Sequence, residues 1–259
     1  MTDPVAVPPA PILPAIRQIG MTAPLKWLQR GWADLWRQPA ASLFHGVAVA
    51  VAGAVILGLT ASLPYLFAAA ITGFVLVAPM LAAGLYELSR RYLADEPATL
   101  RDSMLAWRRN PSGMIGFGLL SLLAGTLWQL LSVVIVAMFY TGPPLAPLDM
   151  IIQVLVNPRH YLMFFIYIGA GGILAAVVFA LSVVSMPMLI DRRCDLLGAL
   201  ATSINAVAEN PLPLALWALI VMLLTGLGFA TALLGLILVM PWLGHASFHA
   251  YKDLVAEES

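Results

Sequence analysis

The residues of this sequence best suited to chemistry are those whose side chains can coordinate a metal ion: His45, Glu87, His245 and His249. His245 and His249 are four residues apart, a spacing that places both on one face of a helix. His45 and Glu87 lie near the ends of other apolar stretches, at comparable depth if those stretches cross a membrane. Such a ligand set suits zinc, iron or copper, and two histidines on facing helices could instead bind a haem. These residues form a candidate metal or haem site.

The same groups have ordinary structural explanations. Polar side chains at the ends of membrane helices meet lipid headgroups, cap free carbonyls or pair with nearby charges such as Arg90 and Lys252. No nucleotide-binding loop, zinc-protease pair, nucleophile elbow or paired acid motif occurs in the sequence. We therefore expect no catalytic residues, no enzyme activity and no cofactor, and metal or haem binding stands as an alternative hypothesis.

The elements that carry these residues are long and apolar. Apolar residues make up 61% of the chain and charged residues 10%, against about 45–50% and about 25% in soluble domains. Asp, Glu, Lys and Arg are absent from residues 38–86, 110–148, 160–190 and 210–251. A helix needs roughly 20 apolar residues to cross a bilayer. The sequence therefore predicts an all-α, polytopic membrane protein.

We predict six transmembrane helices, at about residues 43–61, 65–87, 113–140, 161–189, 212–228 and 230–250. The turn between the fifth and sixth is expected near Gly226 and Gly228. A proline-rich arm, residues 1–22, precedes the membrane domain of residues 23–252, and a short acidic tail, 253–259, follows it.

The basic residues predict the orientation of these helices. Of the 13 Lys and Arg residues, all except Arg159 fall on one side of the membrane under this arrangement. Because cytoplasmic loops collect Lys and Arg, both termini are expected in the cytoplasm, and the protein in the bacterial inner membrane. The net charge of zero argues against nucleic acid as a partner, so the lipid bilayer and a membrane-protein complex are the expected partners.

The chain also shows a threefold pattern that predicts three pseudo-repeated helical hairpins. An amphipathic cytoplasmic segment ends just before a proline in each case: Leu25–Gln38 before Pro39, Leu100–Asn110 before Pro111, and Leu196–Asn210 before Pro211. The first segment has one apolar face, formed by Leu25, Leu28, Trp32, Leu35 and Trp36. We expect this face to lie in the membrane interface, with Lys26, Arg30 and Arg37 opposite.

Several short runs resemble a family of bacterial predicted integral membrane proteins, domain of unknown function 2189. They are Ala-Pro-Leu-Lys-Trp-Leu at 23–28, Gly-Trp-Ala-Asp-Leu at 31–35, the 41–46 region, and Gly-His-Ala-Ser-Phe-His-Ala-Tyr at 244–251. The resemblance is expected to cover nearly the whole chain. It implies a six-helix inner-membrane protein and supplies no activity or site residues.

Three functions remain open from the sequence. The leading hypothesis is a non-enzymatic accessory, assembly or scaffold subunit of a membrane complex, because chemical motifs are absent and the cytoplasmic segments suit docking. A permease or channel for a small uncharged solute is the first alternative, because the hairpin repeats could surround an axial path. The absence of a charge deep in a predicted helix counts against ion-coupled transport. The second is a metal- or haem-binding membrane protein that uses His45, His245 and His249.

Overall fold

The structure is a computed structural model that describes residues 13–60, 82–142 and 156–256. Within these ranges the regular secondary structure is helical. The helices are α1 (Ala23–Arg37), α2 (Pro39–Thr60), α3 (82–93), α4 (Leu100–Met104), α5 (Pro111–Phe139), α6 (Tyr161–Ser182), α7 (Ser185–Asp191), α8 (Leu196–Glu209), α9 (Pro211–Ala230) and α10 (Leu236–Leu254). Short 3₁₀ helices, Ala106–Arg109 and Pro158–His160, precede α5 and α6.

Four segments of the described chain are long and apolar enough to cross a membrane: Pro39–Leu59, Pro111–Phe139, Pro158–Asp191 and Pro211–Ala230. They coincide with the first, third, fourth and fifth predicted helices. Their outer faces expose large apolar side chains, among them Leu119, Leu123 and Leu130 of α5. Such surfaces are stable in lipid and costly in water. The all-helical, multi-pass membrane architecture is therefore confirmed at this level.

The other two predicted helices differ from their expected positions. The second, at about 65–87, lies mostly outside the described residues, and the part described, α3, continues to residue 93. The sixth begins at Leu236 instead of 230 and extends to Leu254. It is not among the segments apolar enough to span, because its second half carries two histidines, Lys252 and Asp253. Six spans stay a prediction.

The turn before α10 lies later than the predicted position at Gly226 and Gly228, both of which are inside α9. Ala232 and Leu233 adopt positive φ angles of 53° and 71°. The sequence does not indicate a turn here because neither residue is glycine, and a non-glycine residue in this region costs about 1–2 kcal/mol. Burial of the Leu233 side chain offsets that cost, since it is only 6% exposed.

The fourth predicted helix, expected to be continuous over 161–189, is interrupted between Ser182 and Ser185. Pro187 causes the interruption, because it has no N–H and its ring clashes with the carbonyl four residues earlier. The backbone N–H of Val184 donates to Ser203 Oγ on α8 over 3.1 Å. A side chain from a neighbouring helix therefore replaces the lost intrahelical bond.

Helix α1 packs on α10 through a face adjacent to the apolar face predicted for the membrane interface. The buried face contains Trp27, Gly31 and Leu35, which recur at helical spacing. A Cβ atom on Gly31 would lie 2.6 Å from the Ala246 backbone nitrogen, so glycine allows this close approach. Leu25 and Trp36 of the predicted interfacial face are about half exposed, and the position of this face in the membrane interface stays a prediction.

Both ends of the described chain join the same assembly. The backbone N–H of Arg17 donates to the Leu254 carbonyl over 2.7 Å, and that of Ala256 donates to the Ala15 carbonyl over 2.9 Å. The Ile19 N–H donates to the Asn210 side chain over 2.8 Å. The end of the proline-rich arm is therefore held between the residues that end and follow α10 and the start of α9.

Helices α2, α5 and α9 begin at the prolines that define the threefold pattern, each directly after a short helical segment. Proline suits the first turn of a helix because the N–H that it lacks would have no intrahelical partner. Asn110 caps α5 by accepting the Gly113 N–H over 2.9 Å. These local features agree with the pattern, and the three-hairpin repeat itself stays a prediction.

Candidate functional site

A cluster of buried polar side chains lies where α1, α2, α3 and α10 meet. We call it the polar cluster, and it consists of Asp34, Ser42, Ser89, His245 and His249. All five residues are buried, and the most exposed of them, Asp34, is 5% exposed. Each helix therefore contributes at least one polar group to a buried site.

The hydrogen bonds of the polar cluster have a single consistent direction. The Ser89 hydroxyl donates to Asp34 Oδ2 over 2.7 Å. The serine oxygen can then only accept from His245 Nδ1, which lies 2.7 Å away. In its neutral form His245 has a free lone pair on Nε2, which accepts from the Ser42 hydroxyl over 2.9 Å. His249 Nε2 donates to Asp34 Oδ2 over 2.8 Å. The Asp34 carboxylate is therefore the final acceptor of this chain of hydrogen bonds.

The surroundings of Asp34 keep it ionised. Burial alone would raise the pKa of this carboxyl, because the charged form loses its hydration. The hydrogen bonds from His249 and Ser89, together with favourable electrostatic interactions with the two histidines, outweigh burial and lower the pKa of this carboxyl from its usual 3.8. The Arg37 guanidinium, 3.9 Å away, adds a positive charge on the same side. The polar cluster is thus organised around one buried negative charge.

Tyr92 and Arg37 border the polar cluster next to His245. The rings of Tyr92 and His245 are 6.3 Å apart. The Arg37 guanidinium lies 5.3 Å from the centre of the Tyr92 ring and donates to the Tyr92 carbonyl over 3.1 Å. Burial, together with the Asp34 charge, raises the pKa of Tyr92 to about 12. Tyr92 therefore stays a neutral phenol at physiological pH.

His45 belongs to a separate pair with Ser103. The Ser103 hydroxyl donates to the Leu100 carbonyl over 2.8 Å, so its oxygen accepts from His45 Nε2, 3.0 Å away. Among the described residues His45 Nδ1 has no hydrogen-bond partner. A Cβ atom on Gly84 would collide with the His45 ring, so this glycine makes room for the pair.

Glu87 is bound by arginines. Its carboxylate lies 2.9 Å from Arg90 Nε, 2.8 Å from Arg91 Nε and 3.5 Å from Arg109 Nε. Both carboxylate oxygens accept hydrogen bonds from these guanidinium groups. The side chain is 3% exposed, and the ion pairs balance the cost of its burial.

The structure therefore distributes the predicted site residues over three settings. His245 and His249 share the polar cluster, His45 pairs with Ser103, and Glu87 is surrounded by arginines. In the described ranges no group of three or more His, Cys, Asp or Glu residues is arranged to hold a metal ion. Metal or haem binding by these residues stays a prediction that these contacts do not support.

Sequence reasoning did not identify Asp34, Ser42 and Ser89 as site residues. One signal was available for Asp34, because it is the only acidic residue of α1, a helix that otherwise carries basic charges. No comparable signal marks the serines, since isolated serines are common in membrane helices and usually bond to their own backbone. Their role depends on which helices pack together.

The chemistry available to the polar cluster is that of a closed hydrogen-bond network. The arrangement can hold a proton or redistribute one among imidazoles, hydroxyls and the carboxylate. Each member has its partners within the cluster, however, and the residues are buried, so no group is presented to a substrate. Its clearest physical effect is to join α1 to α2, α3 and α10.

The apolar spans, the helical fold and this internal polar cluster define a multi-pass integral membrane protein. Residues 66–191 match the model of a family described as predicted integral membrane protein (DUF2189). The match confirms the family resemblance over α3 to α7, a shorter range than the nearly whole chain that was expected. The runs at 23–46 and 244–251 that first indicated the family lie outside it. No curated protein and no solved structure matches the chain.

Proposed function

We propose that this protein is a non-enzymatic accessory, assembly or scaffold subunit of a complex in the bacterial inner membrane. In this proposal six helices span the membrane and both termini lie in the cytoplasm. The observation that carries it is an exposed apolar stripe on α1 and the residues just before it, held rigidly from behind. The stripe consists of Met21, Leu25, Trp32 and Trp36, which are 38–59% exposed.

The packing behind the stripe supports a docking role. Trp32 and Trp36 make an edge-to-face contact at 5.6 Å, and Trp32 makes another with Trp242 at 5.1 Å. The Trp242 indole N–H donates to the Leu28 carbonyl over 2.7 Å. Trp27, on the opposite face of α1, is fully buried. A surface already ordered in this way loses little conformational entropy on binding, and tryptophan is enriched among the residues that dominate interface energies.

The charged groups of this region also favour a structural role. Asp34 and Glu87 are bound by partners within the chain, and Asp253 accepts from the Trp27 indole and from Arg30. A coupled transporter or an enzyme needs polar groups that meet a substrate. Here the buried polar groups bond to one another instead.

The space among the helices supports the permease alternative less well than the packing of α1 supports a scaffold role. A cavity of about 420 Å³ among the helices is lined mainly by apolar residues, and the described lining residues include no charged one. The interruption before α7 resembles the broken helices of transporters. Its freed Val184 N–H, however, is bonded to Ser203 and is not left for a solute.

Co-purification from native membranes in mild detergent, with quantitative mass spectrometry, tests the proposal. We expect a partner at fixed stoichiometry with the wild-type chain, and its loss in the double variant Leu25→Ala/Trp36→Ala. The matched control is Leu93→Ala/Leu197→Ala, because these leucines are 51% and 75% exposed at the ends of other helices. The control should retain the partner. Recovery of a monodisperse, partner-free wild-type protein would contradict the proposal.

A further inference from the structure

The cavity among the helices has a chemistry that the proposed scaffold role does not explain. It has a volume of about 420 Å³ and receives side chains from α2, α3, α5, α6, α7, α9 and α10. Its wall is formed chiefly by large apolar side chains such as Phe117, Phe179, Met186, Phe229 and Leu243. This volume falls within the range of small-molecule sites, about 300–1,000 Å³.

The serines in the cavity wall have no hydrogen to offer a ligand. Ser121 donates to the Phe117 carbonyl over 3.0 Å, and Ser247 donates to the Leu243 carbonyl over 2.7 Å. Ser182 donates to the Phe179 carbonyl over 3.4 Å. Each serine hydroxyl is therefore bonded to a carbonyl of its own helix. The wall is predominantly apolar, and such a lining suits a hydrocarbon chain.

Three other wall residues, Tyr86, Thr225 and Trp217, carry donors for which no acceptor is described, and two of them are aromatic. Tyr86 and Trp217 line the cavity and are 9% and 1% exposed. Across the described ranges, no group accepts a hydrogen bond from the Tyr86 hydroxyl or from the Trp217 indole N–H. Tyrosine and tryptophan side chains in a protein interior usually have a partner for these groups.

We propose that this cavity binds a neutral lipid-like molecule with a carbonyl oxygen. Its apolar chain fills the space among the phenylalanine, leucine and methionine side chains, and its carbonyl accepts the hydrogen bonds that Tyr86 and Trp217 can donate. A charged headgroup is disfavoured because the described lining residues include no charged partner. This site goes beyond the scaffold role and does not depend on it.

Two membrane components share this chemistry, an acylglycerol ester and an alkylated quinone. Delipidated protein in detergent can be titrated with dioleoylglycerol, with decyl benzoquinone and with hexadecane, an apolar chain without a carbonyl. Native mass spectrometry then reports the bound fraction. We expect one molecule of at least one carbonyl probe per chain, bound more tightly than hexadecane. The carbonyl probe that binds with the higher affinity shows whether the natural ligand is an acylglycerol or a quinone.

Three variants test the site residue by residue. Tyr86→Phe and Trp217→Phe should each weaken binding of the carbonyl probe about fivefold, the effect of one neutral hydrogen bond, and leave hexadecane binding unchanged. Val221→Phe adds bulk to the wall and should weaken all probes. Tyr161→Phe is the matched control, because Tyr161 is 44% exposed and does not line the cavity.

Several results would overturn the proposal. One is the absence of binding by either carbonyl probe to correctly folded wild-type protein. Another is binding of carbonyl probes and hexadecane with equal affinity, unaffected by Tyr86→Phe. Because Tyr86→Phe removes a single oxygen atom, it remains informative even if Trp217→Phe or Val221→Phe does not fold.

Discussion

The Asp34 carboxylate accepts a hydrogen bond from His249 Nε2 over 2.8 Å, which joins α1 to α10 across 215 positions of sequence. Ser89 of α3 donates to the same oxygen. The histidine that the sequence marks as a metal ligand thus serves, in this structure, as a donor to a buried carboxylate. The contact joins the first and the last of the described helices.

Replacement of Asp34 by asparagine should destabilise the protein markedly. The asparagine oxygen can still accept from Ser89 and His249, which both bind Oδ2, but the buried negative charge is lost and the amide N–H₂ takes the place of Oδ1 beside the Arg37 guanidinium. We expect a loss of about 3–5 kcal/mol in unfolding free energy, the cost of removing one partner from a buried charge network. Thermal or denaturant unfolding in detergent measures it. The control Asp95→Asn, at an exposed turn position, should change stability little.

The pH dependence of the unfolding free energy should report the ionisation of the Asp34 carboxylate. The pKa of Asp34 is below 3.8 in the folded protein, so its stabilising contribution is complete above pH 3.8. The contribution is lost as the pH falls through the lower, folded-state pKa, where protonation removes the charge. Wild-type protein should therefore lose its stability advantage over Asp34→Asn in this acidic range. If the difference in unfolding free energy between wild type and Asp34→Asn did not change as the pH fell through the folded-state pKa, this assignment would be wrong.

Substitution of Gly31 by alanine should separate α1 from α10. The added Cβ would lie 2.6 Å from the Ala246 nitrogen, and this atom belongs to the backbone and cannot rotate away. We expect a cost of about 1–3 kcal/mol in unfolding free energy, as for other overpacked interfaces. In Gly58→Ala the new methyl group meets nothing within 4 Å, so this control should be neutral or slightly stabilising. Equal effects of the two substitutions on unfolding would argue against close helix contact at Gly31.

Ser203→Ala should weaken the interrupted helix. This change leaves the Val184 N–H, which now donates to Ser203 Oγ over 3.1 Å, without an acceptor in a buried position. The expected loss is about 1–3 kcal/mol. Hydrogen exchange measured by mass spectrometry should show faster exchange around residues 183–185. Thr126→Ala is a suitable comparison, because Thr126 donates to the Leu122 carbonyl of its own helix, and it should leave that region unchanged.

Much of the membrane architecture could be predicted from the sequence. Helices α2, α5, α6 and α9 coincide with predicted spans because each is a long run without charged residues, and hydrocarbon tolerates a backbone only when it is bonded within itself. The starts at Pro39, Pro111 and Pro211 were also visible, since proline favours the first helical turn. These features depend on residues close together in the chain.

The candidate site could be predicted only in part. His245 and His249 were identified through their spacing, which is a local property of one helix. Asp34 and Ser89 were missed because their contacts cross 215 and 156 positions of sequence. Leu233 at positive φ was missed for a related reason, since only its burial explains a conformation that its residue type disfavours.

The sequence by itself determined that this chain is helical, resides in a membrane and carries few polar groups in its apolar segments. Composition and periodicity decide these properties, because the transfer of each residue into lipid depends mainly on its own side chain. The tertiary structure alone decided that Arg109 lies next to Glu87, that His249 binds Asp34, and that Tyr86 and Trp217 border one cavity. Those relationships are set by helix packing, which brings together groups that local sequence patterns do not connect.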